Sequence, residues 1–234
     1  MSEFPPTRWS LVARAATPDA SAREALGELL KAYWQPLYVY ARYAGLDEHA
    51  AEDAVQGFCE SLIRRETLRT ADRAVGRLRS FLLGGFQKHM LSLHRDASRV
   101  KRGSGEAVLS LDDAESAMNL QMTDGDSPDK AFERRWAYTL LERVLGKLRQ
   151  EYMDRGRANV FELLEPALAW HGKELNYNDL AEQLKMSSSA VAQAVKRLRA
   201  GYRRLLEQEI AETVDSPEAA EDERAYLIRV LSGS

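Results

Sequence analysis

The chain is poor in every feature that would mark a secreted, membrane-spanning or turn-rich β protein. Its single cysteine, Cys59, permits no intrachain disulfide and fits a reducing cytoplasm, the compartment we expect. Cys59 falls on an apolar helical stripe, so we read it as a buried, inert residue rather than a reactive thiol. Only 14 glycines and 7 prolines occur among 234 residues, few for the many tight turns of a sandwich or barrel. No apolar run nears the ~18–20 residues that cross a bilayer, so no membrane span is expected. The opening MSEFPPTRWSLV lacks a basic start followed by an apolar stretch, so no secretory leader is expected. A glycine-rich phosphate loop, a cysteine pair for zinc and a Ser/Cys–His grouping are all missing. The nearest catalytic candidates are His49 with Glu52 and Asp53, and His89 with His94. The i, i+3 spacing of the first group could place metal ligands on one face, but a zinc site also needs a third and fourth ligand at defined positions. We therefore expect no enzyme, no metal and no cofactor.

What the chain does have is helix-forming sequence and segregated charge. With 44% apolar and 29% charged residues, it can bury ordinary cores, and its length suits two small domains. The net charge of -3 hides blocks. From Arg64 to Arg102 there are eleven Lys/Arg against three Asp/Glu, and from Ser104 to Glu133 eight acids against one Lys. From Lys185 to Arg204 there are six basic residues and no acid, and from Glu207 to Arg224 eight acids and one Arg. A uniformly solvated surface would mix its signs, so two basic blocks point to polyanion contact at two places.

Periodicity predicts an all-α fold of two helical domains joined by a flexible acidic linker. The three-or-four spacing of Leu26, Leu29, Leu30, Tyr33, Leu37 and Tyr40 or Ala41 predicts a helix over 20–43, in which Pro36 is expected to cause a kink near Trp34–Gln35. A second runs over 47–65 on Ala51, Ala54, Val55, Phe58 and Leu62, with Asp47 as N-cap. A third runs over 74–97 on Val75, Leu78, Leu82, Phe86, Met90 and Leu93. Gly84–Gly85 inside it predicts a kink or a close approach by another backbone. Residues 103–128 lose the period and read as the tether. Ser127-Pro128-Asp129-Lys130 is a helix start, continued by Phe132, Trp136, Leu140, Leu141, Val144 and Leu148. The expected divisions are thus 1–102, the linker 103–128, a second domain 129–214 and an acidic tail 215–234. Helical character between 150 and 176 predicts an extended or extra helix broken near Pro166.

The most specific signal lies in Leu175–Leu206, LNYNDLAEQLKMSSSAVAQAVKRLRAGYRRLL. Asn178 can cap a short helix ending at Leu184, with Leu180, Ala181 and Leu184 inward. Lys185-Met186-Ser187 makes a sharp turn, and Ser187 or Ser188 caps a second helix whose inward face is Val191, Ala194 or Val195, Leu198 and Tyr202. Two helices joined by about three residues form a helix-turn-helix, whose second helix fits the major groove. Its outward residues divide by chemistry. Ser188 is also outward, Ser189 and Gln193 suit base edges, and Lys196, Arg197, Arg199 and Arg203 suit phosphates.

In the first half, LLKAYWQPLYVYARYAGLDEHAAEDAVQGFCESLI followed by LRSFLLGGFQKHMLSLHRD resembles the second conserved domain of extracytoplasmic-function (ECF) sigma factors. Leu175–Leu206 resembles the DNA-reading half of the family's fourth domain, and TRWSLV at 7–12 resembles a motif that precedes the second domain in one variant. The resemblance implies that Glu52, Asp53, Gln56 and Glu60 bind core RNA polymerase. It places promoter DNA on both basic blocks. Around the −10 element it implies Arg77, Arg79, Lys88, His89, Ser92, Arg95, Arg99 and Arg102, with the loop 69–79 capturing a flipped base. Around the −35 element it implies Ser188, Ser189, Gln193, Lys196, Arg197, Arg199 and Arg203. Lys88 and Ser92 depart from the Asn and Asp common in the family's third helix, and Phe81 stands where Trp is frequent. Phe81, Phe86 and His89 offer rings for unpaired bases or for the core. An anti-sigma factor is a further partner that the resemblance admits.

The function these residues imply is recruitment of polymerase, promoter recognition and strand melting. The alternative is a helix-turn-helix repressor or activator that acts as a dimer without polymerase. The acidic linker reads equally as a plain tether or as a nucleic-acid mimic in a polymerase channel. Charge alone suggests that the acidic tail folds back on a basic DNA surface as an autoinhibitor.

Overall fold

A computed structural model of the chain describes residues 20–64, 77–101, 127–168, 176–214 and 216–233. The motif at 7–12, most of the loop 69–79, Arg102 and the linker lie outside them. Among the described residues every regular element is helical: α1 (Ala20–Tyr43), α2 (Glu48–Arg64), α3 (Leu78–Lys101), α4 (Pro128–Asp154), α5 (Ala158–Leu164), a 3₁₀ turn (Glu165–Leu168), α6 (Tyr177–Leu184), α7 (Ser188–Ala211) and α8 (Pro217–Ser232). No described helix is long and apolar enough to cross a membrane.

The chain divides into two compact units, one of residues 1–139 with 211–234, the other of residues 140–210. These boundaries differ from the expected 129–214 and 215–234. The first three turns of α4 and the tail helix α8 group with the N-terminal helices because their apolar residues, Phe132, Trp136 and Leu227, are buried there.

In the first unit α1, α2 and α3 bury the expected stripes: Tyr33, Leu37 and Ala41; Ala51, Ala54, Val55, Phe58 and Leu62; Leu78, Leu82 and Phe86. Phe86 is fully buried, with Phe58 at 5.4 Å and Tyr40 at 6.0 Å, both edge-on. That settles Phe86 as core rather than base platform, and its loss to Ala would cost about 3–5 kcal/mol. Asp47 caps α2 as expected, accepting from the Ala50 N–H at 2.8 Å. α1 continues through Pro36. At Gly85 the close approach is a ring rather than a backbone, since a Cβ there would sit 3.3 Å from Phe58. The α3 stripe stops short of its predicted end: Leu93 is 43% exposed and its neighbour Leu91 56%.

The second unit packs Leu140, Val144 and Leu148 of α4 with Phe161 and Leu164 of α5 and with Val191, Val195, Leu198 and Leu205 of α7. The predicted extra helix between 150 and 176 is present as α5, and Pro166 falls in the 3₁₀ turn that ends it. Glu209 is fully buried on α7 and pairs with Lys147 and, at 3.8 Å, with Arg143. Both partners lie on α4, so Glu209 ties the end of α7 to the middle of a helix distant in sequence. Cys59, in the first unit, is buried as expected, and burial pushes its thiol up to about 11.

Candidate nucleic-acid interface

α6 and α7 are joined by three residues, and the joint is built from local hydrogen bonds. Asn176, not Asn178, caps α6 by accepting from the Asn178 N–H at 3.1 Å. Lys185 turns the chain in the left-handed region at φ 52°, where a non-glycine residue is uncommon. The Met186 N–H reaches back to the Ala181 carbonyl at 2.9 Å, a helix-ending pattern that reverses direction sharply. Ser187 then caps α7, accepting from the Ala190 N–H at 3.2 Å. Asn178 instead accepts from the Ser188 hydroxyl at 2.9 Å and so cross-links the two helices. Leu180, Ala181, Val191, Val195 and Leu198 are buried, as the spacing predicted.

All seven outward residues of α7 are exposed: Ser188, Ser189, Gln193, Lys196, Arg197, Arg199 and Arg203. They are not equally available. Ser188 is engaged with Asn178, and Ser189 shares its hydroxyl with Ser187 at 3.0 Å. Arg199 donates through Nε and Nη2 to the Ala167 carbonyl, both at 3.2 Å, and so closes the end of the 3₁₀ turn. Its basic spacing marked it as a phosphate ligand, but the protein itself holds one side of its guanidinium. Arg197 donates through Nε to the Gln193 carbonyl of its own helix at 3.3 Å.

The α3 candidates divide more sharply. Lys88, Ser92 and Arg95 are exposed on the stripe opposite Leu82 and Phe86, and Arg99 lies on the same helix. His89 is half-buried against the Phe58 ring at 5.9 Å, and its Nε2 lies 3.3 Å from where a Gly57 Cβ would sit. It therefore serves packing, as does Phe86. Arg79 departs from the expected exposed contact. It is 3% exposed, with Nε 2.8 Å from Glu133 of α4 and Nη1 bonded to Glu223 of α8. Trp136 and Tyr226 cover its two faces at 4.5 Å and 4.2 Å. Arg77 is drawn into the same cluster, 3.0 Å from Glu223 and over Tyr226 at 5.3 Å. Glu223 is 1% exposed, and burial pushes the Glu133 carboxyl above its ordinary value despite the attraction of Arg79. A guanidinium so desolvated, with two carboxylates and two rings around it, is a structural node. Its acidic partners lie about fifty and a hundred and forty residues away in sequence, so the local charge count had no means of finding them.

On α2, Glu52, Asp53 and Gln56 are exposed and Glu60 half-buried. Gln56 donates to Glu60 at 3.4 Å, so the four make one polar face. Beside Asp53 opens a cleft of about 850 Å³ between the end of α1, the start of α2 and the middle of α3, lined by Tyr40, Leu46, Met90, Leu91 and Leu93. Sequence reasoning missed this cleft because Leu93 fits the buried stripe by period. The exposure of Leu91 and Leu93 shows that the third helix outruns its packing partners. Large exposed apolar side chains next to an acidic face are unusual on an unpartnered surface. Among the described residues no cluster of three His, Cys, Asp or Glu could hold a metal ion. In comparisons with family models, curated proteins and solved structures, the chain matches none.

Proposed function

We propose that this chain is a transcription-initiation factor of the ECF sigma type, which brings core RNA polymerase to promoter DNA and has no catalytic site of its own. One observation carries the reading. α6 and α7, joined by a capped three-residue turn, leave Gln193, Lys196, Arg197 and Arg203 exposed on one helix. Such an arrangement suits a helix-turn-helix, which seats its second helix in the major groove. Gln193 is the amide suited to adenine, and Lys196 and Arg203 suit the flanking phosphates.

Two further features support the reading. Lys88, Ser92 and Arg95 form an exposed stripe on α3, suited to the backbone of a melted strand. Opening duplex costs about 1–2 kcal/mol per base-pair step in lost stacking, which contacts to the separated strand must offset. The Glu52, Asp53, Gln56 and Glu60 face, bordered by the apolar cleft of Leu91 and Leu93, combines the acidic rim and hydrophobic centre of a protein-docking surface. Arg79 and His89 take no direct part in this reading, and Arg77 only if its pair with Glu223 opens.

Adding the purified protein to sigma-free core polymerase on genomic templates tests the proposal. Discrete start sites are expected, and Asp53→Arg should abolish them by removing polymerase association. Tight binding to a palindromic duplex by a dimer, with no starts in the presence of core enzyme, would overturn it in favour of a repressor.

A further inference from the structure

Wholly within the second unit, the end of α4, the connection into α5 and the middle of α7 line an open cleft of about 570 Å³. Four arginines line it from two segments: Arg155 and Arg157 of the connection after α4, and Arg197 and Arg204 of α7. A single carboxylate faces them. Glu151 accepts from Arg204 at 2.6 Å and lies 3.7 Å from Arg155. Among the described residues neither Arg157 nor Arg197 has a carboxylate within ion-pair distance. Tyr152 places a half-buried hydroxyl in the same space, within the field of Arg155, Arg157 and Arg197.

Like charges converging on one concave surface repel one another, and together they raise the local concentration of anions. One carboxylate against four guanidinium groups leaves the site strongly positive. Guanidinium forks match tetrahedral oxyanions by paired, charge-assisted N–H···O bonds. The tyrosine hydroxyl adds a neutral donor. We propose that this cleft is a phosphoryl-binding site, in which Arg155, Arg157 and Arg197 grip the phosphate oxygens and Glu151 holds Arg204 and Arg155 in place until the anion arrives. The phosphoryl group comes either from a small soluble polyphosphate or from the backbone of a duplex lying along α7. The duplex source rests on the proposed role of α7, whereas the soluble source does not: failure to direct transcript starts would leave pyrophosphate binding standing.

The experiment titrates inorganic pyrophosphate into the full-length protein by calorimetry, and a random-sequence duplex by fluorescence anisotropy, at about 0.15 M salt. Three chains are compared: wild type, Arg155→Ala with Arg157→Ala, and Glu151→Gln. Saturable pyrophosphate binding that weakens at least about tenfold in the double variant identifies the soluble ligand. No pyrophosphate binding, but duplex affinity that falls with a salt slope shallower by about 2 in the double variant, identifies the DNA backbone. In either case Glu151→Gln is expected to bind the same anion more tightly, because it removes the competing carboxylate. That gain is one a folding defect does not produce. If the double variant leaves both affinities and the salt slope unchanged, or Glu151→Gln weakens binding, the proposal is overturned.

Discussion

Replacing Glu223 by Gln isolates the energetics of the buried node. The side chain is 1% exposed; it bonds Arg79, itself 3% exposed, and lies 3.0 Å from Arg77. Glutamine keeps the volume and one acceptor but removes the charge, leaving Arg79 with Glu133 alone. Breaking a buried ion pair costs about 3–5 kcal/mol when the remaining charge is stranded. Because Glu133 stays 2.8 Å from Arg79, the loss should fall at the lower end, about 3 kcal/mol. The same helix provides a control. Glu221 pairs with Arg224 three residues on, with side chains 69% and 48% exposed, and Glu221→Gln should cost less than about 0.5 kcal/mol. Urea denaturation followed by tryptophan fluorescence is a suitable assay, since Trp136 lies 4.5 Å from Arg79. With a slope of about 1–3 kcal/mol per molar urea, the midpoint should drop by about 1–3 M in Glu223→Gln and scarcely move in Glu221→Gln. Equal midpoints for the two variants would refute the claim that Arg79 depends on the tail helix for its charge balance.

Other consequences follow from particular side chains. Ending the chain after Val214 removes α8 and uncovers Arg77 and Arg79. If the tail masks a phosphate surface, non-specific duplex affinity should rise and its salt slope steepen by about 2, and an unchanged slope would dismiss autoinhibition. The raised Glu133 carboxyl makes a pH prediction. Its folded value lies above the ordinary 4.5, so the stability it contributes is full below pH 4.5 and is lost as pH rises through the folded value. Urea midpoints of wild type minus Glu133→Gln should therefore fall as pH rises above 4.5 and level off once the folded carboxyl is ionised, and a flat difference throughout would contradict the burial cause. Gly84 has nothing within 4 Å of an added Cβ, whereas Gly85 faces Phe58 at 3.3 Å. Gly84→Ala should thus stabilise by about 0.4–1 kcal/mol and Gly85→Ala by less, as read from thermal melts. With its thiol near 11 instead of 9.0, Cys59 should react with iodoacetamide at pH 8 at least about a hundredfold more slowly than the unfolded chain.

Helical type and inward faces were legible in the sequence because both arise from local rules. The stripe from Ala51 to Leu62 and the Asp47 cap emerge as predicted, since spacing and capping need no knowledge of the remote chain. The cap of α6 was misassigned by two residues. Asn176 and Asn178 offer the same amide, and only the partner across the turn, Ser188, decides which one serves which helix. Leu93 fits the period but not the packing. Periodicity says which face turns inward and not where the neighbouring helices end.

The harder lesson concerns charge. A run of basic residues from 64 to 102 reads as one polyanion-binding surface because sequence counts charges without their counter-ions. The fold instead divides the run: Lys88 and Arg95 remain exposed, while Arg79 disappears among Glu133, Glu223, Trp136 and Tyr226. A lone arginine that was meant for solvent would not be given two carboxylates and two rings, because ordering that many side chains around an exposed charge returns almost nothing. The same logic separates Arg199, which closes the 3₁₀ turn through the Ala167 carbonyl, from Lys196 and Arg203, for which that turn provides no acceptor. Basic residues on the proposed nucleic-acid-binding helices therefore fall into two populations, one that holds the fold and one that is left exposed. Mutating the first should move stability before affinity, and mutating the second should move the salt slope while leaving the melting curve where it was.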